Sequence, residues 1–262
     1  YAGFGHKQFG ELTYGNMVTI TDEVKQSDLA NTYSLTDGLL ETSARRVTQY
    51  VYNGDYGSNK VKFGAYYGGS SKRNIKNVDL KNNRKNTWGT GLIFNHEIDS
   101  IQNVTVAAGF TRQISENANK TAYYSNAYAL GLAYNFVHTT YGLDLAHKDT
   151  KNKGGAGNKV KNNEVTAVIR QGLNEDWNVY AMYSYKTEKT LPAGSAYSKS
   201  TDRQFLVGTE YYVFKQGSVK VKPFIEWQAT RTKYENTFDK DSGKQLDRSR
   251  DFKTVIGLRA YW

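Results

Sequence analysis

Apolar and polar side chains alternate with a period of two along this chain, from its first residues to its last. In the segment 127–137 one face carries large apolar side chains, while alanine, glycine and asparagine lie between them; the large ones are Tyr128, Leu130, Leu132, Tyr134 and Phe136. Successive side chains of a β-strand point to opposite faces. The pattern therefore predicts strands with one apolar face and one face that is small, polar or charged.

Thirteen such segments are predicted, and the lengths of their connections alternate strictly. The segments are 1–7, 10–17, 46–53, 60–70, 87–97, 102–114, 123–137, 139–149, 162–173, 177–188, 203–214, 219–232 and 250–262. Long polar connections fall near 18–45, 71–86, 115–122, 150–161, 189–202 and 233–249, and short ones lie between them. Outer-membrane barrels have long loops at one end and tight turns at the other. The sequence thus predicts an all-β fold, a transmembrane antiparallel up-and-down β-barrel, with residues 1–262 as one domain.

The composition fits a wall with lipid on one side and water on the other. The 262 residues include 21 Tyr and 24 Gly but only 2 Pro and no Cys. Aromatic belts at the two membrane interfaces explain a high tyrosine content. No run of eighteen apolar residues predicts a transmembrane helix, and residues 1–7 lack the basic and apolar regions of a signal peptide. Without cysteine, neither a disulfide nor a thiolate metal site is expected.

The spacing of polar residues indicates no catalytic or metal site. The histidines have no paired ligand spacing, and no nucleophile and base stand in a telling arrangement; the histidines are His6, His96, His138 and His147. The glycine-rich run 154–159 lacks the spacing of a phosphate-binding loop and precedes a strand. We therefore expect no enzymatic activity, no metal and no cofactor.

The two ends of the chain carry the motifs of a known family. The front holds Tyr1-Ala2-Gly3-Phe4, then the run 9–16, then a long connection closed by Arg45-Arg46-Val47. The last strand ends in an aromatic residue, and one of its faces carries Ile256, Leu258, Ala260 and Trp262. These motifs resemble those of general-diffusion trimeric porins of Gram-negative outer membranes, with Pasteurellaceae porins nearest. The similarity covers essentially the whole chain.

The resemblance implies a homotrimer in the bacterial outer membrane, whose water-filled channels pass ions and small hydrophilic solutes. It also implies that the insertion machinery recognises the face formed by Ile256, Leu258, Ala260 and Trp262. Family barrels have sixteen strands, and the first strand here looks like their fourth, so the resemblance implies about three strands missing from the front. The alternative is an outer-membrane barrel with an adhesin, structural or rim-located enzymatic role.

In that family a loop folds into the barrel, and its carboxylates face basic residues of the wall. The resemblance places this loop at 18–45, and its residues up to Ala44 hold five acids against the single Lys25. The candidates for the pore constriction are Asp22, Glu23, Asp28, Asp37, Glu41, Arg45 and Arg46. Asp37 and Glu41 have the spacing of the acidic side, but their short distance from Arg46 in sequence leaves the pairing open. Each charge is also compatible with a solvated loop residue.

Strand alternation assigns further charges to the lumen. The basic candidates are Lys60, Lys62, Arg170, Lys220, Lys222 and Arg259, together with Arg46, Lys186 and Lys253 on the same phase. The acidic ones are Glu11, Asp144, Glu164, Glu210 and Glu226. Nine basic and five acidic positions leave the wall at +4, and five acids against one lysine put the loop at −4. Since charges at a wide mouth are screened over about 8 Å, we predict a weak anion preference.

The connection 72–85 is strongly basic. Six cations stand there against Asp79, and the chain as a whole carries a net charge of +10. A surface that binds single-stranded nucleic acid interleaves aromatic residues with its cations, and this run has none. We expect contact with the anionic lipopolysaccharide and lipid surface and no nucleic-acid partner, with an ordinary solvated loop as the alternative.

Overall fold

The computed structural model describes residues 1–117, 120–153, 158–192, 197–238 and 245–262. In these residues fifteen strands form one sheet, and every pairing is antiparallel. The strands are β1 (Ala2–His6), β2 (Gly10–Val18), β3 (Ser43–Tyr56), β4 (Asn59–Gly68), β5 (Ser71–Arg73), β6 (Asp79–Asp99), β7 (Gln102–Asn117), β8 (Lys120–Phe136), β9 (Thr139–Asn152), β10 (Lys159–Gly172), β11 (Trp177–Leu191), β12 (Ser198–Tyr211), β13 (Phe214–Gln216), β14 (Val219–Phe238) and β15 (Gln245–Tyr261). Within the same ranges no helix is long and apolar enough to cross a membrane.

The predicted all-β, up-and-down barrel architecture is confirmed. The thirteen predicted strands correspond to the thirteen long ones, and β5 and β13 are extra pieces of three residues each. Each long strand pairs with the next long strand in the chain. The polypeptide therefore runs around the wall as a meander with local connections.

The two faces of the wall differ as the alternation predicts. On β8 the inward-facing Ala127 is 1% exposed, whereas the outward-facing Leu130 and Phe136 are 37% and 43% exposed. Aromatic rings cluster on the outer face at two heights. At one height the ring centroids of Trp88 and Phe110 lie 5.0 Å apart. At the other height lie the rings of Tyr134, Phe136 and Tyr141. Aromatic girdles of this kind mark the two membrane interfaces of outer-membrane barrels.

Several strands are longer than predicted and extend into segments expected to be loops. β6 begins at Asp79, inside the predicted connection 71–86, and β14 continues to Phe238, inside 233–249. Beyond the apolar band both faces of a strand meet water, so neither face needs apolar residues. The alternation then disappears from the sequence although the strand continues.

The two ends of the sheet have free edges within the described residues. β1 pairs only with β2, and β15 pairs only with β14. The expectation of about three further strands stays a prediction.

Candidate functional site

The segment between β2 and β3, residues 19–42, lies against the inner face of the wall; we call it the inner loop. It opens with a short 3₁₀ helix, Ile20–Val24. Four of its apolar side chains are almost wholly buried at 0–6% exposure, namely Ile20, Val24, Leu35 and Leu40. They pack in three clusters on inward-facing residues of the wall, such as Tyr66, Ala107 and Met182. Apolar burial holds this segment inside the barrel.

The backbone of the inner loop approaches the wall most closely at glycines. A Cβ atom added to Gly131 of β8 would lie 2.1 Å from the carbonyl oxygen of Val24. One added to Gly142 of β9 would lie 2.5 Å from the carbonyl oxygen of Gln26. Both distances are far below van der Waals contact, so these two glycines set how deeply the loop can lie against β8 and β9.

A carboxylate of β9 holds the middle of the inner loop. Asp144 accepts hydrogen bonds from the backbone N–H groups of Gln26, at 2.9 Å, and of Ser27, at 2.8 Å. The Ser27 hydroxyl donates a further one at 2.5 Å. Because Asp144 is 5% exposed, water competes little for these bonds, and hydrogen bonds to an ionised acceptor are the stronger kind.

A second carboxylate, on β14, holds the loop farther along. Glu226 accepts from the backbone N–H groups of three successive residues, Asn31, Thr32 and Tyr33. On the neighbouring β15, the Arg259 guanidinium donates to the carbonyl oxygen of Asn31. Asn31 is thus fixed through both its amide hydrogen and its carbonyl oxygen.

Two further wall acids are engaged in the same region. Glu164 of β10 accepts from the backbone N–H of Asp37 at 2.9 Å. Glu210 of β12 lies 2.5 Å from the Lys222 ammonium and also accepts from the Arg170 guanidinium. The alternation predicts these acids as lumen charges. Four of its five acidic positions are instead 0–5% exposed and bonded, namely Asp144, Glu164, Glu210 and Glu226.

The acids of the inner loop meet lysines rather than arginines. Three of them reach the wall, in the pairs Glu23–Lys62 at 2.5 Å, Asp37–Lys186 at 2.6 Å and Glu41–Lys148 at 3.3 Å. The other two lie beside a lysine of the loop itself, in the pairs Asp22–Lys25 at 3.7 Å and Asp28–Lys25 at 3.5 Å. All five candidate acids therefore have a cation within 4 Å.

Arg45 and Arg46 do not join these pairs. The Arg45 guanidinium donates to the Asn77 side chain at 2.7 Å, and that of Arg46 to the Ser70 carbonyl at 3.4 Å. Arg46 has a φ of 54°, and the register of β2 with β3 shifts beside it. This irregularity interrupts the regular alternation on which the lumen assignment of Arg46 rests.

The two arginines instead line a cavity of about 380 Å³ at the long-loop end, which we call the upper cavity. Its lining contains five cations and one acid, namely Arg45, Arg46, Lys72, Arg73, Arg84 and Glu116. Arg84, predicted within a basic surface loop, belongs to β6 and is 6% exposed. Its guanidinium donates to the carbonyl oxygens of Arg45 and Gly69.

Comparison with known proteins identifies the family. A family model described as Gram-negative porin matches residues 1–224. The chain belongs to the Gram-negative porin family. It lies in the outer membrane as a β-barrel and forms a porin channel.

Individual relatives are distant in sequence. The major outer membrane protein of Pasteurella multocida is 24% identical to this porin over 268 residues, which cover 100% of this chain and 67% of the relative. Vibrio cholerae OmpT, also solved in a trimer form, has a TM-score of 0.65 at 16% identity and covers 97% of this chain and 77% of its own. An anion-selective porin from Comamonas acidovorans has a TM-score of 0.56 at 14% identity, with 97% and 74% covered. The two structures show a shared fold.

Two further predicted lumen charges of the porin, Lys60 and Lys220, lie toward the short-turn end, whereas Lys253 lies in the middle of β15, 3.0 Å from Asp251. Lys60 is 2.8 Å from Glu97 of β6, and Lys220 is exposed beside the turn that precedes β14. Lys148 is missing from the predicted lumen set. The phase that places Asp144 of β9 inward also places Lys148 inward, so applying it four residues farther would have found this lysine.

The predicted insertion signal lies on the outer face of β15 and at the chain end. Ile256, Leu258 and Trp262 are 78%, 66% and 92% exposed, and Ala260 has the same phase.

Of the glycine-rich run, residues 154–157 lie outside the described residues. Within the described part of the porin, no three metal-binding side chains form a group.

Proposed function

We propose that this porin is a general-diffusion channel for ions and small hydrophilic solutes, and that the inner loop forms its constriction. One observation carries the proposal: the inner loop holds acids next to lysines on three different strands. Glu23 reaches β4, Glu41 reaches β9 and Asp37 reaches β11. A segment held across the lumen narrows the path that a solute can take.

The arrangement of charges supports passage without tight binding. Three loop acids lie beside wall lysines, and the other two lie beside Lys25 of the loop itself, so the narrow region offers opposite charges across a short gap and little net charge. Such a transverse field orients polar solutes, and the width of the gap selects by size. Since passage requires weak and reversible contacts, the function needs no binding pocket specific for one solute.

Planar-bilayer recording of the protein purified from outer membranes tests this function. We expect stable open channels whose conductance rises in proportion to KCl concentration, as in a water-filled pore. Liposome swelling should slow steadily as the solute grows from a monosaccharide to a trisaccharide. Absence of conductance, or selection of one sugar without regard to size, would contradict general diffusion.

We also propose that the porin assembles as a homotrimer and contacts lipopolysaccharide through the upper cavity. The trimer proposal is supported by the resemblance to trimeric porins, and mass measurement in detergent tests it.

The lipopolysaccharide proposal is supported by the five cations that converge at the long-loop end, since clustered Lys and Arg attract anionic headgroups. The exposed face of Ile256, Leu258, Ala260 and Trp262 is proposed as the insertion signal.

A further inference from the structure

A cavity of about 450 Å³ lies inside the barrel between the inner loop and the short-turn end; we call it the lower cavity. Its lining combines cations, tyrosines and apolar loop residues, namely Arg170, Lys220, Lys222, Arg259, Tyr212, Tyr261, Leu29 and Ala30. We infer that the lower cavity transiently binds small organic carboxylates on their way through the pore. This inference rests on the proposed channel function and adds a preferred class of solute to it.

The cations of the lower cavity are only partly neutralised. Glu210 serves both Arg170 and Lys222, so one carboxylate faces two cations. Arg259 donates to a backbone carbonyl, which carries no full charge. Lys220 is exposed, and the ion pairs found at this end of the barrel in the described residues involve Arg170, Lys215 and Lys222 instead. The cluster therefore keeps positive charge that an entering anion can meet.

The acids nearest the lower cavity leave this excess in place. Among the described residues that line the lower cavity, the acidic one is Asp28. Its carboxylate lies 3.5 Å from the Lys25 ammonium. Glu226 stands behind Asn31 at 0% exposure and is occupied by three backbone N–H groups. Within the described residues, neither carboxylate forms an ion pair with Lys220 or Arg259.

The rest of the lining suits an anion with an apolar body. The Lys222 ammonium is 5.5 Å from the ring centre of Tyr212 and 5.8 Å from that of Tyr261, so two aromatic rings border the positive charge. Leu29 and Ala30 cover the side toward the inner loop. Chloride gains nothing from these apolar surfaces, whereas a carboxylate with an aromatic or aliphatic body gains from their desolvation.

Benzoate titration of single channels in KCl tests the inference. We expect benzoate to reduce the current reversibly and more strongly than acetate at equal concentration, because acetate lacks the ring. Neutral benzyl alcohol should have little effect. Lys220→Gln should raise the half-blocking concentration about fivefold, as expected for the loss of one partly exposed charge interaction. Tyr212→Leu should raise it as well.

Lys7→Gln is the matched control, since it removes one positive charge from the turn between β1 and β2 at the same end of the barrel, outside the lower cavity. It should titrate as the wild type does. An equal block by benzyl alcohol, an unchanged titration in Lys220→Gln, or an equal loss in Lys7→Gln would overturn the inference. Open channels that benzoate does not affect would overturn it and leave the channel function standing. Absence of any conductance would count against the channel function itself.

Discussion

The Asp144 carboxylate on β9 accepts hydrogen bonds from both the backbone N–H and the hydroxyl of Ser27, at 2.8 and 2.5 Å, across 117 residues of sequence. The contact joins the middle of the inner loop to strand β9 of the wall. A wall acid that alternation assigns to the pore lining is therefore a structural anchor.

Replacing Asp144 with Asn should loosen the inner loop. The amide keeps the shape and one acceptor oxygen, but its NH₂ group cannot accept, so at least one of the N–H groups of Gln26 and Ser27 is left unsatisfied at a cost of about 1–3 kcal/mol. We expect noisier single-channel currents and faster proteolysis within 19–42. Asp99→Asn is the control, because Asp99 also accepts from a backbone N–H, that of Ile101, in a short turn. Equal noise in both variants would remove Asp144 as the anchor.

Gly131→Ala should displace the inner loop by a steric route. The added Cβ would lie 2.1 Å from the Val24 carbonyl oxygen, so the loop must move toward the pore axis, at about 1–3 kcal/mol as in other overpacked sites. We expect a changed conductance and a lower unfolding temperature. Gly69→Ala serves as control, since nothing lies within 4 Å of its added Cβ. Wild-type conductance in Gly131→Ala would show that the approach is not tight.

Charge selectivity should follow the constriction. The wild-type porin should prefer anions weakly at low salt, and the preference should fade at high salt, where screening shortens to about 3 Å at 1 M. The double variant Asp37→Asn/Glu41→Gln frees Lys186 and Lys148 from their partners and should strengthen the anion preference. Zero-current potentials across a KCl gradient measure both effects.

The control for selectivity is Glu175→Gln/Asp176→Asn, which removes two negative charges in the turn between β10 and β11. Its zero-current potential should stay near that of the wild type. A clear cation preference in the wild type would mean that the loop acids outweigh the wall lysines.

Lipopolysaccharide binding should depend on the upper cavity. Lys72→Gln/Arg73→Gln removes two of its five cations and should weaken binding by about 1 kcal/mol for each charge, with a shallower dependence on salt. Lys151→Gln/Lys233→Gln removes two exposed lysines elsewhere near the long-loop end and should bind as the wild type does. Binding of purified lipopolysaccharide at several salt concentrations measures the difference, and equal losses in both variants would point to net charge alone.

The sequence by itself determined the strands, their order and the two faces of the wall. Alternation placed Leu130 outward and Ala127 inward because the side-chain period of a strand is two. Alternation also placed Lys62 and Arg170 on the inner face. The composition of the inner loop showed that the loop is acidic. Alternation missed the ends of the longer strands, such as β6, because strands with water on both faces need no alternation.

Only the tertiary structure decided which charges meet. Alternation gives the face of a residue but not its height on the wall, which depends on the register between neighbouring strands and accumulates around the barrel. Glu41 therefore meets Lys148 rather than Arg46, although Arg46 is five residues away in sequence. In the same way Asp144 carries the sequence signature of an open pore charge, but a loop more than a hundred residues earlier covers it and uses its oxygens as hydrogen-bond acceptors.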